Sequence, residues 1–171
     1  MTNTTQAPIL ITRTFDAPRD LVWRAWTEKE HLLKWFSPAG MEMAHCDLDF
    51  RVGGRCLYAL KPVGQPGPLM WGLWKFREIA PPERLVLVQS FSDETGGVTH
   101  HEMMPTWPAE IHSTATFVEK DGKTVLTLHW LPVEGTPEEQ RATFEGGRVH
   151  VPIGWEGTFK QLDAYLAAGA K

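Results

Sequence analysis

The stretch 109–131 constrains this chain more than any other. Two apolar/polar alternations, 109–118 and 123–131, flank Asp121-Gly122, a dipeptide suited to a two-residue hairpin turn because both positions tolerate positive φ. With Lys120 opposite Lys123, one face stacks Phe117 on Leu126, Ala115 on Leu128 and Ser113 on Trp130. The other face carries Thr116 with Thr127 and Thr114 with His129. A hairpin with one apolar and one wet face has to bury the apolar face under another layer. Trp155, Phe159, Leu162 and Leu166 supply it. Their spacing predicts an amphipathic helix over about 153–168.

Upstream, "ILITRTF" at 9–15 reads as a strand rich in β-branched residues. Pro18 suits a first helical position, and a helix at 19–26 turns Leu21, Val22, Trp23, Ala25 and Trp26 over most of its circumference. Thr27 with Glu30 forms a capping-box pattern for a second short helix ending near Phe36, and Thr136 with Glu139 forms another ahead of a later helix. Pro152 argues against a smooth helix through 148–152. Strands at 70–79 and 84–91 flank "APPER". Placing Ala80 opposite Leu85 puts Gly72, Trp74 and Phe76 on one face with Leu87, Gln89 and Phe91, and leaves a mixed outer face. Residues 92–108 have neither period and are long for a connection, which marks a binding loop or lid.

Cys46 and Cys56 flank "RVGGR". A three-residue loop Val52-Gly53-Gly54 keeps Cys46, Leu48, Phe50, Cys56, Tyr58 and Leu60 on one face. In that register the cysteines are offset by four residues, roughly 14 Å, too far for a disulfide. Both are expected to be buried, reduced thiols.

The fold class expected is therefore α+β: a curved antiparallel sheet around a long C-terminal helix, with two short helices after the first strand. At 171 residues and 42% hydrophobic, the chain suits one domain over 8–171 behind a flexible tail at 1–7. A net charge of −4 offers no basic footprint for nucleic acid. No apolar run reaches the roughly 20 residues of a membrane span, and "MTNTTQAP" lacks signal-peptide character. Cytoplasmic location is the expectation.

The words "RTFDAPRDLVWRAWTEKEHLLKWFSPAG" (13–40), "DFRVGGR" (49–55), "EIAPPERLVL" (78–87), "DGKTVLTL" (121–128) and "GWEGTFKQLDAYL" (154–166) occur in this order. Together they resemble bacterial members of the heat-shock-protein-90 ATPase activator homology family, within the START-like superfamily and its helix-grip fold. The resemblance spans about 8–168. It implies a cavity between sheet and C-terminal helix, of the kind this superfamily uses for small apolar molecules. It departs from the family pattern at "RVHVPI", 148–153.

The inward faces supply a candidate lining: Trp26, Trp35, Trp74, Gln89, Phe91, Ser113, Trp130, Trp155 and Phe159, with Trp26 and Trp35 at the rim. Ser113 and Gly72 leave space beside large rings. Apolar walls with a few polar groups are the usual form of a small-molecule site. His100, His101, Met103 and Trp107 belong to the lid loop. Glu78 is either a polar hook inside the cavity or, preferably, the partner of Arg84 at the rim. No HExxH, CxxC, GxSxG or phosphate-binding glycine loop occurs, so no catalytic set, metal or cofactor is expected.

Non-catalytic binding of a hydrophobic, aromatic small molecule is the leading reading, by a monomer or weak homodimer. A cyclase or hydrolase using the same cavity is the alternative. A chaperone-regulating, stress-linked role is a third, weakened because the chain is expected to lack the extra N-terminal domain of a true activator.

Overall fold

Residues 5–170 are described by the computed structural model. Along the chain run β1 (Ile9–Phe15), α1 (Arg19–Thr27), α2 (Lys29–Trp35), β2 (Met41–Leu48), β3 (Arg55–Pro62), β4 (Met70–Ala80), β5 (Arg84–Ser92), β6 (Val98–Thr99), β7 (Ile111–Lys120), β8 (Lys123–Pro132), α3 (Glu138–Gly146) and α4 (His150–Ala167). The strands form one curled antiparallel sheet in the order β1-β8-β7-β5-β4-β3-β2, with β6 added beside β5. The expected helix-grip architecture is present.

The β7–β8 hairpin forms as its sequence dictates. Asp121 and Gly122 take φ of 54° and 76°, the left-handed pair that a tight hairpin turn requires. Lys120 faces Lys123, and Phe117/Leu126, Ala115/Leu128 and Ser113/Trp130 are register partners. β1 extends this face, bringing Ile9 opposite Trp130 and Ile11 opposite Leu128. α4 lies across it. Phe159 and Leu162 are fully buried, and Phe159 meets Phe15 edge-on at 5.5 Å. An Arg13–Asp163 ion pair ties β1 to α4.

α4 starts three residues earlier than the sequence pattern predicts, so Pro152 is helical. It sits in the first turn, where a missing N–H costs nothing because that donor has no partner inside the helix. The break from α3 falls at Gly147–Val149 instead.

Neither capping box forms. The Thr27 hydroxyl donates to the Trp23 carbonyl at 2.9 Å, inside the last turn of α1, and extended Glu28 separates the helices. The Thr136 hydroxyl donates to the Val133 carbonyl at 2.7 Å. Pro18 and Pro137 occupy cap positions just outside their helices. The expected tail at 1–7 lies partly outside the described residues. Gln6 donates to the Arg141 carbonyl at 3.0 Å, and Arg148 to those of Ala7 and Pro8 at 2.9 Å.

Two hairpin registers differ from expectation while the faces hold. β2 and β3 pair Leu48 with Cys56 and Cys46 with Tyr58. The connection is Asp49–Gly54 rather than three residues, because the Gly53 amide and Gly54 carbonyl hydrogen-bond to Phe76 on β4. This slide of two residues brings the cysteine sulfurs to 3.9 Å, not 14 Å. Both thiols are free and buried. β4 and β5 close with Ala80 opposite Arg84, and a bulge between Phe76 and Glu78 restores parity, so that Trp74 faces Gln89 and Gly72 faces Phe91. The outer face is mixed: Leu73, Val86 and Val88 are buried among exposed or half-exposed Lys75, Arg77 and Ser90.

Candidate functional site

A cavity of about 620 Å³ opens where the concave sheet, the residue 92–108 loop and the α3–α4 corner meet. Gln89, Phe91 and Trp130 line it from the sheet, Trp155 from α4 and Trp107 from the loop, all five expected from sequence. Phe36, Tyr58, Leu60, Trp71, Met104, Thr143, His150 and Val151 line it too and were not foreseen. His150 and Val151 escaped because 148–152 did not read as helix. Phe36 read only as the end of α2. Trp71 has outward parity but sits at the start of β4, where the cavity mouth reaches it.

Trp26, Trp35, Trp74, Ser113 and Phe159 lie outside the lining. Trp26 and Trp35 are not at the rim: they are 4% and 1% exposed. Trp26 stacks between Trp74 at 6.3 Å and Trp155 at 6.0 Å, with interplanar angles of 17° and 23°. Trp35 meets Trp26 edge-on at 5.1 Å, and its indole N–H donates to the Ala25 carbonyl at 2.8 Å. Offset and edge-on contacts of this kind stabilise beyond area alone, by roughly 0.5–1.5 kcal/mol each. These rings form a packed layer behind the cavity, with Trp155 belonging to both layers.

The space expected over Gly72 is filled. A Cβ built there would stand 2.3 Å from the Tyr58 ring, so Gly72 is where Tyr58 crosses β4. Burial pushes the Tyr58 phenol well above its ordinary value, with a further contribution from Cys56, and the hydroxyl stays neutral. No Asp, Glu, Lys or Arg is among the lining residues. Glu78 lies outside the lining and pairs with Arg84 at 3.2 Å. The indole N–H groups of Trp26 and Trp130 are buried with no hydrogen-bond partner among the described residues.

The loop is held down at two places. At its start the Asp93 carboxylate accepts from the Thr95 hydroxyl at 2.6 Å, the Thr95 amide at 2.8 Å and the Gly97 amide at 3.0 Å. Those donors, the Thr95 hydroxyl first, hold its carboxyl below the usual range. At its end the Thr106 and Thr143 hydroxyls meet at 2.9 Å, and the Trp107 ring lies 5.7 Å from that of Phe144. Trp107 rests on Gly147, where a Cβ would come within 2.9 Å of the indole. His101 packs on Phe91 at 5.0 Å, outside the lining, as are His100 and Met103, the last 84% exposed.

Among the described residues no three His, Cys, Asp or Glu side chains form a metal-binding group, and no helix is long and apolar enough to cross a membrane.

A curled antiparallel sheet closed by a C-terminal helix over an aromatic-walled cavity defines a helix-grip protein of the START-like class. The family model described as "Activator of Hsp90 ATPase homolog 1-like protein" matches residues 16–167, and the chain belongs to that family. Protein Ms6760 of Mycobacterium smegmatis is similar in structure, with a TM-score of 0.74 at 23% identity, covering 100% of this chain and 97% of that one. A Staphylococcus epidermidis protein gives 0.72 at 25% identity over 100% and 96%. An AHSA1 protein of Silicibacter pomeroyi gives 0.67 at 19% over 95% and 99%. No curated protein matches the sequence.

Proposed function

We propose that the cavity binds an uncharged, aromatic small molecule without chemical change, in the cytoplasm. The observation that carries this is the lining itself: rings of Phe36, Phe91, Trp107, Trp130 and Trp155, with no Asp, Glu, Lys or Arg among the lining residues. An ionised ligand would lose hydration there without gaining a partner, a cost of several kcal/mol. Aromatic surface loses only water. Burying about 200 Å² of it at roughly 25 cal/mol per Å² supplies about 5 kcal/mol before ordering costs, equivalent to a Kd of about 0.2 mM. Tighter binding requires polar contacts, and Gln89, Thr143 and His150 stand at the wall to make them.

The cyclase or hydrolase reading is served less well. The candidates for an inward acid or base are Glu78, Gln89, His100 and His101. Glu78 pairs with Arg84 away from the lining. Neither histidine lines the cavity, and Gln89, which does, is an amide that neither takes up nor gives up a proton near neutral pH. The family's description refers to a chaperone ATPase, and nothing in the site geometry favours that role.

Titration with neutral polycyclic aromatics tests the proposal. Tryptophan fluorescence should be quenched, Trp130→Ala should weaken binding about tenfold, and outer-face Thr127→Ala should leave it unchanged. Equal weakening by both variants, or no quenching by any neutral aromatic, would overturn it.

A further inference from the structure

Cys46 and Cys56 stand diagonally across the β2–β3 ladder: Cys46 faces Tyr58, and Cys56 faces Leu48. Their sulfurs share a hydrogen bond at 3.9 Å, and both thiols are free. A disulfide bond is about 2.05 Å long, so the sulfurs need to approach by only about 2 Å to bond. We propose that this pair is an oxidative modification site, at which a hydroperoxide converts the two thiols into an intramolecular disulfide that external thiols reverse.

Three further observations support it. The first is the position of the pair. β2 ends the sheet order and has one strand neighbour, and a bulge between Met43 and His45 interrupts its ladder next to Cys46. An edge strand with a broken ladder opens locally at lower free energy than the sheet centre. Such opening admits an oxidant of a few atoms to thiols that are 4% and 0% exposed at rest. Secondly, the two sulfurs are not equivalent. The hydrogen bond shared with Cys56, assisted by the Lys29 charge, holds the Cys46 thiol below its ordinary value. The same bond and burial push Cys56 far up. Cys46, on the edge strand beside the bulge and the less buried of the two, meets the oxidant first and is the nucleophile, with Cys56 as the resolving thiol. Thirdly, Cys46 is the register partner of Tyr58, and Cys56 of Trp74. Phe36 closes the cavity wall against those same rings, at 5.4 and 4.9 Å. The oxidation state of the pair is set directly behind that wall.

The chemistry balances in two steps. The Cys46 thiol gives up its proton and its sulfur attacks one peroxide oxygen. The O–O bond breaks, and the alkoxide (hydroxide, from hydrogen peroxide) takes up that proton and departs as an alcohol or water, leaving a sulfenic acid. The Cys56 sulfur then attacks the Cys46 sulfur and the S–O bond breaks. The hydroxide released takes the Cys56 proton and leaves as water. Two thiols give up two electrons, and one hydroperoxide accepts them. Intracellular disulfides of this kind are transient and regulatory rather than structural.

The test treats reduced, folded protein with hydrogen peroxide, caps residual thiols by alkylation and maps peptides without reduction. The expected product is a Cys46–Cys56 linked peptide lighter by two hydrogens, which dithiothreitol restores. In Cys56→Ser, Cys46 should stop at a sulfenic acid that dimedone traps. The proposal fails if wild-type protein yields separate sulfinic acids or two alkylated thiols with no linked peptide. It fails equally if the link forms only after unfolding in urea. The wild-type result stands whether or not the serine variant folds.

Discussion

Trp26 and Trp107 are the same amino acid used in opposite ways. Trp26 lies between Trp74 and Trp155, with edge contacts to Trp35, Phe36 and Phe117. Trp107 comes from an irregular loop, touches Phe144, rests on a glycine and turns to the cavity. Helix and strand place the first ring from several directions at once. One backbone hydrogen bond to Met104, a neighbouring hydroxyl pair, one ring contact and a glycine place the second. Aromatic abundance therefore does not mark a cavity. What marks it is the place where regular elements stop supplying neighbours, at the α3–α4 corner and the loop across from it.

The sharpest way to break this contrast is to truncate both rings. Trp26→Ala should cost about 3–5 kcal/mol of stability in urea unfolding, as large-to-small changes in packed aromatic cores do. Trp107→Ala should cost less than half of that while exposing the loop to protease. Equal costs would mean that the two regions are packed alike.

Gly147→Ala separates the regions more finely. The glycine has φ of −81°, so alanine brings no backbone strain, and its methyl presses chiefly against the Trp107 indole, with a closer-than-usual contact to the Phe144 carbonyl oxygen. Cleavage within 92–108 should accelerate severalfold, with a stability loss of about 1 kcal/mol. An unchanged cleavage rate would show that Trp107 does not fasten the loop. Thr106→Val removes the hydroxyl pair with Thr143, worth about 1 kcal/mol, and should loosen the same segment to a smaller extent.

The smallest effect is electrostatic. Arg148 hydrogen bonds, with help from Gln6, hold the exposed Glu145 carboxyl at about 2. A depressed carboxylate stabilises the folded state above its unfolded value and loses that contribution as pH falls through the folded one. Attachment of residues 6–8 to the α3–α4 corner should thus weaken as pH drops from about 4.5 towards about 2. A carboxyl NMR titration of Glu145 with its midpoint near 4.5 would contradict the contact.

What could be read from the sequence follows the same division. The β7–β8 register was legible because the Asp121-Gly122 turn and strict alternation specify one pairing. The α4 stripe was legible because its period is unbroken. The β2–β3 offset was not, since a slide of two residues preserves every face, and the decisive hydrogen bonds run from Gly53 and Gly54 to Phe76 on a third strand. Pro152 misled because a proline in a first helical turn and one that breaks a helix look alike in sequence. For the cavity, inward parity located Gln89, Phe91, Trp130 and Trp155 but could not separate them from Trp26, Trp74 and Phe159. All seven rings and amides face inward, and parity alone does not say which of them meet open space and which meet other rings.

Native mass spectrometry of the protein purified from its own host addresses the central claim most directly. A single bound molecule per chain is expected, released on denaturation, uncharged at neutral pH and aromatic by its absorption, and displaced by the neutral polycyclic compounds that quench tryptophan fluorescence. A tightly held anion or cation, or a chain that remains unliganded and takes up none of those compounds, would contradict the account.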